Sequence, residues 1–247
     1  GGGILLIILV MMRKIHVKTW PWKWTVAAAI LIGLFQISFF SSVRITGVAL
    51  GTVITIGSAS IFAGVLEWLL FKRRPDRIWA VATFFAVFGV VLLFVKKGDA
   101  IIHPTGLLFA LCAGVLFAMY TNVSKKLMEL EETLPAVAMT FTLCALFLLP
   151  LSMKDGNGWL IVPTNLWTIV VMAIFATSLA YVLFLYGLQR IPSSSAVTLS
   201  LAEPLTAALL GVFLLKEPFT MLSWIGIASI LSGIIVLTFG AKGKTTT

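Results

Sequence analysis

The sequence predicts an all-α integral membrane protein, a bundle of spanning helices, and three observations carry that prediction. Of its 247 residues, 60% are hydrophobic and only 11% charged, against about 45–50% and about 25% in a soluble domain. That leaves too few polar side chains to cover a water-facing surface. The apolar residues also gather in runs of roughly 20, the length a helix needs to cross a hydrocarbon core of about 30 Å at about 1.5 Å per residue. Within the runs both faces are apolar instead of alternating, which selects helices over barrel strands.

Taken in order, Gly1–Met12 is apolar but only about 18 Å long as a helix, too short to cross. No basic segment precedes it and the charges follow it, so it makes a poor signal peptide. It reads as the tail of a helix whose beginning is missing. Eight full spans are expected: Trp24–Val43, Val48–Phe71, Ile78–Val95, Thr105–Asn122, Leu134–Leu151, Leu166–Leu188, Ser193–Leu215 and Phe219–Phe239. Eight of the nine prolines lie near the ends of these spans, and only Pro204 is interior. The eight tryptophans also fall near ends, as an interfacial belt requires. Two residue types thus mark the same boundaries.

Charge sets the orientation. Of the 18 Lys and Arg residues, 13 fall on the side that holds Arg13 and Lys14, and the other five are Arg44, Lys96, Lys97, Lys154 and Lys216. The positive-inside rule makes the first side cytoplasmic and places the C-terminus there. The net charge of +9 therefore belongs to span ends and does not signal nucleic-acid binding. Cys112 and Cys144 lie inside spans with no metal-ligand or redox spacing, and read as small core residues.

A shift of 145 residues lays 40–94 over 185–239 without a gap. Ala63, Leu69, Leu70, Trp79, Val91, Leu92 and Phe94 then meet Ala208, Leu214, Leu215, Trp224, Val236, Leu237 and Phe239. The span at Trp24 and its counterpart at Leu166 run in opposite directions, so the repeat is inverted, as in many alternating-access carriers. The division falls at 1–97 and 98–247.

The stretch "AYVLFLYGLQRIPSSSAVTLSLAEPLTAALLGVFLLKEPFTMLSWIGIASILSGIIVL" resembles an EamA domain of the drug/metabolite transporter superfamily. "EP" followed by small residues, then "LLKEPFT" and a glycine-bearing last span, carries the likeness. The resemblance covers essentially the whole chain as two domains, the first incomplete. It implies a ten-helix transporter of two inverted five-helix units, with the first helix and part of the second missing and both termini cytoplasmic. The first copy departs from the pattern: Ser58–Ala59 stand where the second has Glu203–Pro204.

Candidate functional residues come from this frame. Glu203 lies ten residues into its span, about 15 Å from the cytoplasmic end. A charge there costs about 2.5–3.5 kcal/mol on insertion scales, so such residues face a cavity or a partner. Pro204 removes one helical N–H and frees the carbonyl of Ser200, which describes a kinked helix beside a polar cavity. Gln36, Thr55, Ser58, Tyr120, Ser178, Tyr181, Thr198 and Ser200 are the further cavity candidates, each alone also explicable as a helix-to-helix or back-bonded polar group. Phe141, Phe147, Phe184 and Phe213 are aromatic candidates, core or lipid-facing packing being the other reading of each. Glu67 is expected to pair with Lys72–Arg74 or sit at the interface, and Glu217 to serve a turn. Ala228, Ser229, Ser232 and Gly233 form an expected close-packing face.

Catalysis finds no support: His16 and His103 lie in different loops, and no zinc-protease, hydrolase-elbow or phosphate-loop pattern occurs. No metal or cofactor is expected. The resemblance implies a secondary transporter of the plasma membrane that exports a small organic metabolite such as an amino acid by alternating access. Efflux of cationic lipophilic compounds and a non-transporting membrane scaffold are the alternatives. The expected partners are the substrate, the lipid bilayer, protons and a second copy of the chain. Without its missing helices the chain is expected to be inactive.

Overall fold

The computed structural model describes residues 20–94, 103–152, 163–214, 216 and 220–242. The Gly1–Met12 fragment, His16, Trp159 and Glu217 lie outside the described residues. Every regular element among them is helical: α1 (Trp22–Thr46), α2 (Val48–Phe71), α3 (Arg77–Phe94), α4 (Pro104–Met128), α5 (Thr133–Ser152), α6 (Pro163–Val171), a π-helical stretch (Met172–Leu179), α7 (Ala180–Leu188), α8 (Ser193–Leu199), α9 (Ala202–Phe213) and α10 (Met221–Lys242). Seven described helical stretches are long and apolar enough to span, and the eighth, Arg77–Leu93, is apolar but shorter. The chain is a multi-pass membrane protein.

Three expected spans differ from the structure, each for a physical reason. The span expected at Thr105–Asn122 runs on to Met128, past two lysines. Lys125 does not end the helix, because its ammonium donates to the carbonyls of Leu188 (2.5 Å), Gln189 (3.1 Å) and Ile191 (3.1 Å). Lys126 pairs with Glu129 at 2.6 Å. The span expected at Leu166–Leu188 contains the π stretch, where the Thr177 and Ser178 hydroxyls donate five residues back, to Met172 (3.3 Å) and Ala173 (2.8 Å). The span expected at Ser193–Leu215 tightens at Ser200 and Leu201, both still right-handed helical, which divides it into α8 and α9.

Short punctuation separates the elements. Gly47 alone joins α1 to α2, at φ 85°, a conformation other residues rarely adopt. Asp76 begins α3 by accepting the Trp79 N–H at 2.7 Å, an N-cap bond.

The chain folds as two compact units whose bounds differ from the expected division at 1–97 and 98–247. One holds the described residues up to Leu34 with Tyr120–Ile191; the other holds Phe35–Met119 with the described residues from Pro192. In the second unit, α3 and α10 approach so closely that a Cβ on Gly89 would sit 2.5 Å from the Gly226 carbonyl oxygen, and one on Gly226 2.7 Å from that of Gly89. Gly233 lies against Ala82 and Ala86, and the Ser229 hydroxyl donates to the Phe85 carbonyl at 2.7 Å. Of the expected packing face, Ser229 and Gly233 join this contact, while Ala228 and Ser232 are exposed. Around it Val53, Ala86, Val90, Leu93, Leu201, Leu205, Ile227 and Ile230 form a buried cluster.

The residue pairing shows that α3 and α10 are antiparallel. The same holds for α2 and α8: Ser60 meets the Val197 carbonyl and Glu67 meets Ser194, so rising numbers on one helix face falling numbers on the other. Each of these pairs consists of helices matched by the 145-residue shift.

Candidate functional site

The second unit holds seven of the ten cavity candidates. At its centre is the break between α8 and α9. The last turn of α8 tightens: the Leu201 N–H donates to the Thr198 carbonyl at 3.1 Å, and the Glu203 N–H to the Ser200 carbonyl at 2.9 Å. The carbonyl that Pro204 was expected to orphan is thus taken by the neighbouring residue's own amide. Helix α9 then restarts at Ala202, which puts Glu203 and Pro204 in its first turn. Proline is tolerated there because first-turn N–H groups have no helical acceptor. A carboxylate there complements the positive end of the helix dipole. Glu203 is exposed at the surface of the chain and Pro204 is buried.

The other candidates of this unit are engaged with neighbouring helices. Thr198 is fully buried: its Oγ1 donates to the Ser194 carbonyl (3.0 Å), accepts from Trp79 Nε1 (3.1 Å) and pairs with the Thr83 hydroxyl (2.9 Å). Thr55 is buried and donates across to the Ala110 carbonyl at 3.3 Å. Ser58 and Ser200 back-bond to the carbonyls of Thr55 (3.1 Å) and Ala196 (3.2 Å). Gln36 is half-buried and also has an interaction partner.

Glu67 does not make the ion pair that its sequence neighbours suggest. It is 6% exposed, and it accepts the backbone N–H of Ser194 at 3.0 Å instead of pairing with Lys72–Arg74. Ser193 and Ser194 are buried beside it. The only signal in the sequence was the acid itself inside an apolar span.

The first unit holds Tyr120, Ser178 and Tyr181. Tyr181 is the hub of an aromatic group, its ring centroid 4.5 Å from Phe141, 6.1 Å from Tyr120 and 6.4 Å from Phe184. Tyr120 is wholly buried, as are Thr121 and Asn122 next to it. Ser178 lies in the π stretch that leads into Tyr181. Of the remaining aromatic candidates, Phe147 packs over Gly33, and Phe213 in the second unit is 73% exposed. No cluster of three or more potential metal ligands occurs among the described residues.

A broken membrane helix carrying a carboxylate at the break is a transporter feature, and comparison with known proteins agrees. The sequence profile of the EamA-like transporter family matches residues 1–95 and 104–239. This chain belongs to the EamA-like transporter family. It is 42% identical over 246 residues to the uncharacterized transporter YwfM of Bacillus subtilis (strain 168), covering 100% of this chain and 83% of that one. To the threonine/homoserine exporter RhtA of Escherichia coli (strain K12) it is 30% identical over 198 residues, covering 77% of this chain and 64% of that one. A solved crystal structure with 20% identity superposes with a TM-score of 0.82 over 98% of this chain and 84% of the other, which establishes the shared fold. Membership of this family makes the chain a small-molecule transporter.

Proposed function

We propose that this EamA-like protein exports a small organic metabolite such as an amino acid across the plasma membrane, by alternating access of two inverted repeats. The observation that carries the reading is the α8–α9 break, which sets Glu203 in the first turn of a half-helix. A carboxylate at such a position suits a substrate bearing an ammonium group, and membrane carboxylates of this kind commonly mark substrate or proton paths. The relation to RhtA, named as a threonine/homoserine exporter, supports the amino-acid class. The antiparallel packing of α2 on α8 and of α3 on α10 supports inversion, since helices matched by the 145-residue shift should run oppositely.

In this reading the architecture has ten helices in two EamA-like repeats, 1–97 and 98–247, and the C-terminus is cytoplasmic. Protons are the coupling ion and two copies of the chain associate. Gln36, Thr55, Ser58, Tyr120, Ser178, Tyr181, Thr198, Ser200, Glu203 and Pro204 supply or support the walls of the path. Substrate counterflow in proteoliposomes, with the full-length protein including any residues that precede this sequence, tests the proposal: exchange of an amino acid, weakened in Glu203→Gln, is expected. A second reading, efflux of cationic lipophilic compounds, is favoured by the aromatic group around Tyr181, because ring faces attract cations.

A further inference from the structure

We propose that Glu67 is a positioning residue that fixes where Glu203 stands. A series of hydrogen bonds within the second unit joins the regions of the two acids. Glu67 Oε2 accepts the Ser194 N–H at 3.0 Å. The Ser194 carbonyl accepts the Thr198 hydroxyl at 3.0 Å, and the Thr198 carbonyl accepts the Leu201 N–H at 3.1 Å. The next carbonyl but one, that of Ser200, takes the Glu203 N–H at 2.9 Å.

Helix α8 runs into α9 through Ser200 and Leu201, both right-handed helical, so whatever holds α8 also bears on the start of α9. Its contacts are therefore what aim the break. Near its C-terminal end, Thr198 is gripped by Trp79 and Thr83. In its middle, the Ser60 hydroxyl reaches the Val197 carbonyl at 3.5 Å, the limit of a hydrogen bond. At its first turn the hold is Glu67, the one ionisable group in the series before Glu203. A carboxylate that accepts a first-turn N–H satisfies an amide with no helical acceptor and complements the helix dipole. Burial removes competing water and strengthens the bond. Glu67 thus controls the rotation and depth of α8, and through the tight turn at Thr198–Glu203 it controls the start of α9.

This inference rests on the transport reading only for its functional consequence; the positioning itself is tested without substrate. Amide hydrogen exchange in lipid nanodiscs is measured by mass spectrometry for the wild type, Glu67→Ala, Glu67→Gln and Ser194→Pro. Glu67→Ala is expected to speed exchange at Ser194 by tenfold or more, and at Leu201 and Glu203 as well. Glu67→Gln, whose amide oxygen still accepts, should change these less. Ser194→Pro deletes the donor within the first turn, where proline breaks no helical hydrogen bond, so it should reproduce the loosening at Leu201 and Glu203 even where Glu67→Ala fails to fold. Acceleration confined to residues 193–195, or none at all, overturns the proposal.

The functional arm is a double-mutant cycle on transport rate. Glu67→Ala is expected to slow transport at least tenfold and Glu67→Gln much less. In a Glu203→Gln background, Glu67→Ala should add little, since no carboxylate remains to be positioned. A full, independent second loss contradicts the proposal, because a merely structural role predicts it. Absence of transport by the wild type counts against the proposed function, and the exchange data still decide the role of Glu67.

Discussion

The backbone N–H of Glu203 donates to the carbonyl of Ser200 at 2.9 Å. This bond turns an apparent flaw, a charge beside a proline in mid-membrane, into the first turn of a second helix. Glu203 stands where the helix dipole favours an anion, and Pro204 stands where no helical N–H is required.

Replacement of Pro204 by alanine should therefore change stability little, by less than about 1 kcal/mol, since proline costs little in a first turn. Thermal unfolding in detergent measures it. A gain near the ~3 kcal/mol expected for a proline removed from a helix interior would mean that α8 and α9 behave as one continuous helix.

Thr198 should matter more than either of its donors. Trp79→Phe deletes one hydrogen bond and leaves the Thr83 contact, which predicts a loss of about 0.5–1.5 kcal/mol. Thr198→Val strands both the half-buried Trp79 N–H and the buried Thr83 hydroxyl, which predicts a loss of about 1–3 kcal/mol for the buried hydroxyl and a smaller one for the indole. Equal losses in the two variants would show that the indole bond accounts for the whole effect.

The α3–α10 contact predicts a sharp contrast between glycines. Gly89→Ala forces a methyl against the Gly226 backbone, which a rigid helix pair relieves only by separating, at about 1–3 kcal/mol. Gly57→Ala meets only Val87 Cγ1 at 3.5 Å, an ordinary contact, and should be tolerated. Thermal midpoints of the two variants should differ by several degrees, and similar midpoints would refute the close approach.

Lys125→Met should loosen the end of α7. It leaves the carbonyls of Leu188, Gln189 and Ile191 without their shared donor, which predicts a loss of about 1–3 kcal/mol. Lys125→Arg should recover much of it, because guanidinium also donates to several acceptors. Failure of arginine to do better than methionine would argue against the capping role.

Helix positions are legible in the sequence because bilayer thickness fixes run length, and prolines and tryptophans mark the ends. Val48–Phe71 is legible to the residue. Lengths go wrong where side chains find distant partners: Lys125 looks like a span end until the carbonyls of residues 188–191 are in place. The α8–α9 break is announced by Glu203–Pro204, but only as a kink, because the Ser200–Glu203 bond cannot be read from residue types. The π stretch has no signal in its composition. The partner of Glu67 is not legible because its nearest charges in sequence, Lys72–Arg74, suggest an ion pair, whereas its carboxylate accepts from an amide 127 positions away. Gly226 does not stand out from the other small residues of its span, since only the register of α3 on α10 singles it out.

The central claim, transport of an ammonium-bearing metabolite past Glu203, is tested most directly by counterflow. Proteoliposomes holding the purified full-length protein, with any residues that precede this sequence included, are loaded with each of a panel of amino acids and cationic lipophilic compounds, and uptake of the labelled compound is followed. The account predicts exchange of an amino acid, reduced at least tenfold by Glu203→Gln. Exchange of cationic lipophilic compounds alone would move the substrate to the second reading. No exchange of any compound by folded protein would contradict the account and leave a membrane scaffold in its place.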